Sequence, residues 1–180
     1  MMKTRNIIYA PVFASVIAVC AWLTVPAGIP FTMQTFGVCL TLLLLGGRGG
    51  TVSLMVYILL GTIGLPVFHG FSGGPGVLMS STGGYLLGFV LMGLIYWGTT
   101  ALGKDRLWSR IAGMSLGTIA CYGAGIVWFM FWYTAGTSPI DIGTALSMCV
   151  VPFVVPDIIK MMLAFWTAKK IERHTGKLYL

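Results

Sequence analysis

The chain has 180 residues, of which 57% are hydrophobic and only 8% charged, with a net charge of +7. A soluble domain carries about a quarter charged residues, so that class is excluded and the sequence reads as an integral membrane protein. Long all-apolar runs, 25 glycines and 8 prolines fit close-packed, interrupted helices rather than the apolar/polar alternation of a membrane β-barrel.

The fold class expected is therefore all-α: one membrane domain over 1–180 with six transmembrane helices. The first apolar run, Ile7 to Pro26, follows a basic start and precedes a small-residue site near Ala27, as in a signal peptide. It has the length of a full span and more spans follow, so a retained helix over 7–26 is expected. Ala10, Ala14 and Ala18 recur at four-residue spacing on one face of it, which lets another helix approach closely.

The second and third helices are predicted at 32–46 and 50–65, broken by "GGRGG", with Thr32 and Gln34 near the outer end of the second. A long loop from Gly64 to Gly84, rich in Gly and Ser, follows and is either a lid or an ordinary connection. The fourth helix is predicted at 82–103, with Tyr85 near its outer end, and the fifth at 109–134 after "GKDRLWSR". Trp128, Phe129 and Trp132 are placed either around a ligand or in an interfacial belt. A short apolar stretch, 142–151, precedes the sixth helix at 153–172.

The charges orient these helices. Lys3, Arg5, Arg48, Lys104, Arg106, Arg110, Lys169, Lys170, Arg173 and Lys177 all fall at the termini or in loops two–three and four–five. By the positive-inside rule that side, with both termini, is cytoplasmic. The clusters are a topology signal, and no nucleic-acid role is read from them. Cys20, Cys39, Cys121 and Cys149 lie in apolar segments without metal-site spacing. His69 has no metal-ligand neighbours in sequence and is expected to be a lid or surface residue.

One basic residue breaks the pattern. In "VVPDIIK", Asp157 and Lys160 stand inside the last span, where a charge costs about 2.5–3.5 kcal/mol on insertion scales. At i, i+3 they share a helix face. Pro156 favours a helix start just before them. From Asp157 to Lys170 the helix rises about 20 Å, placing the pair in the outer half of the bilayer core. Two readings follow: a structural salt bridge, or a recognition pair for a polar ligand reached from outside.

Three stretches in order, "IPFTMQTFGVCLTLLLLGGRGG", "YILLGTIGLPVFHGFSGGPGVLMSSTGGYLLGF" and "PFVVPDIIK", resemble the BioY family, the biotin-specific S components of energy-coupling factor (ECF) transporters. The resemblance runs from about Ala10 to Lys170. It implies a six-helix S-component bundle in the cell membrane and biotin as the transported ligand, with no cofactor. It further implies that Asp157 and Lys160 contact biotin; Thr32, Gln34 and Tyr85, each near an outer helix end with hydrogen-bonding capacity, are expected in the same pocket. Where the family sets a polar loop side chain near the ligand this chain reads "FSGG", so Ser72 or the Gly73 backbone is expected to substitute. "MSSTGGY" replaces a Gly-Pro-Thr-Gly-Gly-type run, making Ser80 and Ser81 departures.

Without a GxxxxGK[ST] motif the sequence offers no recognisable ATP site of its own. The resemblance supplies the partners: an ECF transmembrane coupling subunit and two ATPase subunits, docked through the Ala10, Ala14, Ala18 face. Packing within the chain's own bundle is the alternative use of that stripe. An intramembrane enzyme would need a nucleophile and base or a metal cluster, and no HExxH or paired intramembrane aspartates occur. An S component for another vitamin would share the fold, so ligand binding must discriminate.

Overall fold

The computed structural model describes residues 4–25, 29, 31–136 and 140–176. Lys3, Pro26, Ala27 and Lys177, invoked above, lie outside them. Seven α-helices occur among the described residues: α1 (Thr4–Trp22), α2 (Gln34–Thr62), α3 (Pro75–Leu78), α4 (Gly83–Leu102), α5 (Leu107–Gly136), α6 (Ile142–Cys149) and α7 (Val151–Thr175).

The second and third expected helices both lie within α2, which folds back on itself at a single residue. Gly46 has φ 69° and ψ 173°, a conformation that a β-carbon disfavours. The Gln34 side-chain amide donates to the Tyr57 hydroxyl at 2.9 Å, although a straight helix would set residues 23 apart by about 35 Å. At the apex, a β-carbon on Gly50 would lie 2.9 Å from the Leu42 Cα, so only glycine allows the two arms to meet there. With α1, α4, α5 and α7, the arms 34–45 and 47–62 give six apolar segments, and four helical stretches, α2, α4, α5 and Ile142–Thr175, are long and apolar enough to cross a membrane.

The hairpin forms the centre of the bundle. Val38, Leu42, Leu43, Leu45, Leu54 and Tyr57 are fully buried, which explains why α2 is apolar on every side. α1, α4 and α7 pack around it, and α4 and α5 form the most extensive helix pair. Small residues set that closeness: β-carbons on Gly88 and Gly117 would lie 3.0 Å and 3.1 Å from the Cα atoms of Cys121 and Met92. α5 and α7 are not packed along their length; α6 bridges them on the outer side.

At the cytoplasmic end a polar clasp joins the same two helices. Lys104 and Asp105 take left-handed φ values of 52° and 54° in the tight α4–α5 turn. The Asp105 carboxylate accepts from Arg110 Nε and Nη2, both at 2.8 Å. Arg110 Nη1 donates to Glu172 Oε1 of α7 at 3.2 Å.

Two features differ from expectation. Pro156 does not start the last helix: α7 begins at Val151, and Pro152 takes the first-turn position where its missing N–H leaves no bond unmade. Asp157 is therefore past the first turn, beyond the reach of the helix dipole. The first outer connection also contains a two-stranded antiparallel ribbon, β1 (Thr24–Val25) and β2 (Phe31–Thr32), with Thr24 opposite Thr32.

Candidate functional site

Asp157 and Lys160 are 7% and 4% exposed, deep in the bundle on the face of α7 turned towards α2 and α5. One helical turn brings Lys160 Nζ to 2.8 Å from Asp157 Oδ1. The other carboxylate oxygen, Oδ2, accepts from the Tyr122 hydroxyl of α5 at 2.7 Å. The ammonium also lies 4.1 Å from the centre of the Phe31 ring, contributed by the ribbon. Phe31 stacks in turn on Phe153 of α7 with ring centres 6.2 Å apart.

These groups line a cavity of about 70 Å³ under the outer loops. Its walls include Thr32 and Gln34 from the start of the hairpin, Tyr85 and Phe89 from α4, and Thr118 and Tyr122 from α5. Chemically it is an apolar chamber with one neutralised ion pair at its side. No described buried side-chain N or O atom lacks a partner. The pair still has unused capacity: an ammonium carries three N–H donors, of which Asp157 takes one, and a carboxylate offers about four lone-pair sites.

Thr32, Gln34, Tyr85, Asp157 and Lys160 all stand in the lining of this one cavity. Their hydrogen bonds show how they are held. Thr32 Oγ1 accepts from the Gln34 backbone N–H at 3.2 Å, and Gln34 is fixed by Tyr57, whose hydroxyl donates to the Val67 carbonyl at 3.1 Å. The Tyr85 hydroxyl donates to the Cys149 carbonyl at 2.6 Å, tying α4 to the end of α6.

Ser72 and Gly73 are not in the lining, and that expectation is corrected. The Ser72 hydroxyl turns back to the His69 carbonyl at 2.7 Å, closing the 3₁₀ turn His69–Phe71. Gly73 lies against the backbone of Leu65, leaving no room for a side chain. The loop reaches the cavity instead through His69 and Thr82, with His69 Nε2 3.5 Å from Thr82 Oγ1. Burial holds the His69 imidazole below its ordinary pKa, favouring the neutral ring. The loop is also anchored: Trp22 Nε1 donates to the Pro66 carbonyl at 2.9 Å, and the Trp22 ring stacks on Phe71 at 4.8 Å.

Trp128, Phe129 and Trp132 do not line the cavity. Trp128 donates to the Ser80 carbonyl at 2.9 Å, and Phe129 packs against Ala145 and Cys149 of α6. The alanine stripe is likewise corrected. Ala10, Ala14 and Ala18 are 2%, 1% and 3% exposed, in the contact between α1 and α2, so their small size serves packing within the chain. The face of α1 left free carries Ile8, Val12, Ser15 and Val19.

Tyr122, Phe31, Phe153 and Thr118 are site residues that sequence reasoning missed. Thr118, Cys121 and Tyr122 fall at i, i+3 and i+4, the one polar stripe along the middle of α5. That spacing was the available signal.

The model of the BioY family matches residues 1–177. Among similar proteins, a biotin transporter BioY of Thermotoga maritima is 38% identical, with 94% of this chain and 96% of that protein covered. A probable biotin transporter BioY of Pyrococcus horikoshii is 31% identical over 97% of this chain and all of its own length. In Lactococcus lactis, biotin transporter BioY2 is 37% identical, covering 92% of this chain and 91% of its own. The fold is similar to the crystal structure of the S-component for biotin from an ECF-type ABC transporter, with TM-score 0.82 and 24% identity. That similarity covers 98% of this chain and 97% of the other.

Proposed function

The chain belongs to the BioY family, and on that premise we propose that it is the substrate-binding S component for biotin uptake across the cytoplasmic membrane. It captures biotin from outside and receives its energy from an ECF module, a transmembrane coupling subunit with two ATPases. The observation carrying this reading is the buried Asp157–Lys160 pair, set beside a cavity in the outer half of a six-segment bundle.

Biotin's ureido ring presents two N–H donors and one carbonyl, complementary to a carboxylate and an ammonium held side by side. Tyr122 and Lys160 each occupy one face of the Asp157 carboxylate, orienting its remaining lone pairs. The free N–H groups of Lys160 receive either the ureido carbonyl or the valerate carboxylate. Apolar walls from Phe89, Phe153 and Leu86 suit the bicyclic ring and its alkyl tail.

A cavity of about 70 Å³ is well below the ~300 Å³ at the lower end of ligand pockets. Admission of biotin therefore requires the covering elements to move outward. Phe31 is the group to displace, because its ring already covers the Lys160 ammonium at 4.1 Å. The ligand exchanges a cation–π contact for charge-assisted hydrogen bonds.

The test is calorimetric titration of biotin into protein purified in detergent from biotin-depleted cells, with riboflavin and thiamine as controls. Tight, selective biotin binding that Asp157→Asn and Lys160→Ala both lose is the expected result. A folded protein that ignores biotin, or variants that bind it normally, would return the pair to a structural salt bridge.

A further inference from the structure

On the cytoplasmic side, where α5 and α7 separate, a groove of about 630 Å³ lies between them. Leu43 of α2 and Ala168 form its floor, and Ile111, Met162, Phe165 and Trp166 its walls. Met162 and Trp166 are 67% and 64% exposed, so the groove opens sideways from the bundle. Both residues belong to a membrane span, and what surrounds that opening is hydrocarbon. Away from the mouth water is a poor occupant, since it needs several polar partners and these walls offer at most the Trp166 indole N–H.

The polar groups gather at one end. Arg110, Lys169 and Glu172 line the mouth, which is the positively charged, cytoplasmic end. The Arg110 guanidinium is held there by Asp105 and Glu172, two carboxylates against one cation. Lys169, Lys170 and Arg173 add exposed positive charge around the same turn, with Lys170 Nζ 5.3 Å from the Trp166 ring centre. The site is therefore an apolar channel open to the lipid tails, capped by net positive charge and an interfacial tryptophan.

We propose that this groove binds an anionic phospholipid of the cytoplasmic leaflet, one acyl chain between α5 and α7 and the phosphate held by Lys169 and Lys170. The chemistry matches at both ends: lipid hydrocarbon fills the space that the two helices leave open, and the headgroup completes the charge. Arg110 acts as a positioning residue, keeping the mouth at fixed width through its bond to Glu172. The inference stands apart from the biotin reading, since no residue of the outer cavity takes part.

Trp166 is a built-in reporter. The full chain is reconstituted into phosphatidylcholine liposomes containing equal mole fractions of either brominated phosphatidylglycerol or brominated phosphatidylcholine. The Trp166 signal is taken as the fluorescence lost in Trp166→Phe, and elution as a single symmetric species checks that each variant is folded. The expected result is stronger quenching of Trp166 by the anionic bromolipid, with a preference of about fivefold per lysine near a charged surface. Lys169→Glu with Lys170→Glu should abolish the preference and leave quenching by the zwitterionic lipid unchanged. Ala168→Leu, which fills the floor, should lower quenching by the anionic lipid alone. Equal quenching by the two lipids, or a preference that survives charge reversal, overturns the proposal. Absence of quenching by either also overturns it, and identifies protein, such as a second copy of the chain, as the occupant.

Discussion

Polar bridges join α5 to α7 at two depths, and they are built in opposite ways. In the outer half both charges sit on α7, and α5 contributes only the neutral Tyr122 hydroxyl. At the cytoplasmic end the charges face each other across the gap, Arg110 on α5 and Glu172 on α7, and the Arg110 Nε, Nη1 and Nη2 atoms all donate to carboxylates. The inner bridge is chemically closed and works as a fastener. In the outer one, Lys160 gives a single hydrogen bond and turns its remaining charge to an aromatic face, so the pair can still accept a ligand. Burial separates them further: the outer side chains are 8% and 5% exposed, while Asp105 and Glu172 are 28% and 19% exposed.

Disruption should be greatest at the outer pair. Asp157→Asn or Lys160→Ala leaves a charge stranded in the bundle, which costs about 3–5 kcal/mol. A large drop in thermal midpoint in detergent, together with loss of biotin binding, is the expected outcome. The double variant Asp157→Leu with Lys160→Met separates the two effects. Removing both charges should restore the midpoint to near the unsubstituted value, because an apolar pair of similar volume replaces a desolvated one. Biotin binding should stay absent, and a double variant that binds would detach recognition from the pair.

Tyr122→Phe removes one hydrogen bond to a charged acceptor, worth about 1.5–3 kcal/mol. The thermal midpoint should fall accordingly, and biotin, meeting a carboxylate no longer oriented by that bond, should bind more weakly by titration. Glu172→Gln tests the other side of the contrast. A partly exposed ion pair is worth under about 1 kcal/mol, so the midpoint should shift slightly, the shift should vanish at high salt, and biotin affinity should be unchanged.

The smallest effect belongs to His69. Burial lowers its pKa in the folded chain below the ordinary value near 6.5, so the unfolded loop binds protons more readily. The contribution of the packed loop is complete above about pH 6.5 and is lost as pH falls through the lowered folded value. A melting series from pH 7.5 to 5 should show this decline, and His69→Gln should flatten it.

Much of this arrangement was legible in the sequence because membranes punish misplaced charge. The distribution of Lys and Arg oriented the helices, and the single exception, Lys160, marked the site with its partner. Other features lacked such a constraint. Ala10, Ala14 and Ala18 indicate that something approaches closely, yet spacing alone does not say whether the approaching helix is α2 or a partner. Proline favours a first turn, but "VPFVVP" holds two, and the bend at Val150 gives that position to Pro152 rather than Pro156. The Ser72 hydroxyl suits a ligand contact, but the turn it closes consumes that hydroxyl locally. Tyr122 lies in an apolar run where its spacing from Thr118 marks a polar stripe, but the spacing names no partner, and only the packing of α5 sets it opposite Asp157.

The bend at Gly46 also bears on how the chain enters the bilayer. Its arms, 34–45 and 47–62, rise about 18 Å and 24 Å, and neither reaches across a hydrocarbon layer of about 30 Å. Released singly from the insertion machinery, either arm would leave backbone ends short of one interface. As a pair they need no polar crossing between them, only Arg48 at the apex held on the cytoplasmic side. The hairpin should therefore enter as a unit, with the buried alanines of α1 packing against it once it is in place. A β-branched residue at position 46, by opposing the bend, should act first on the yield of protein in the membrane.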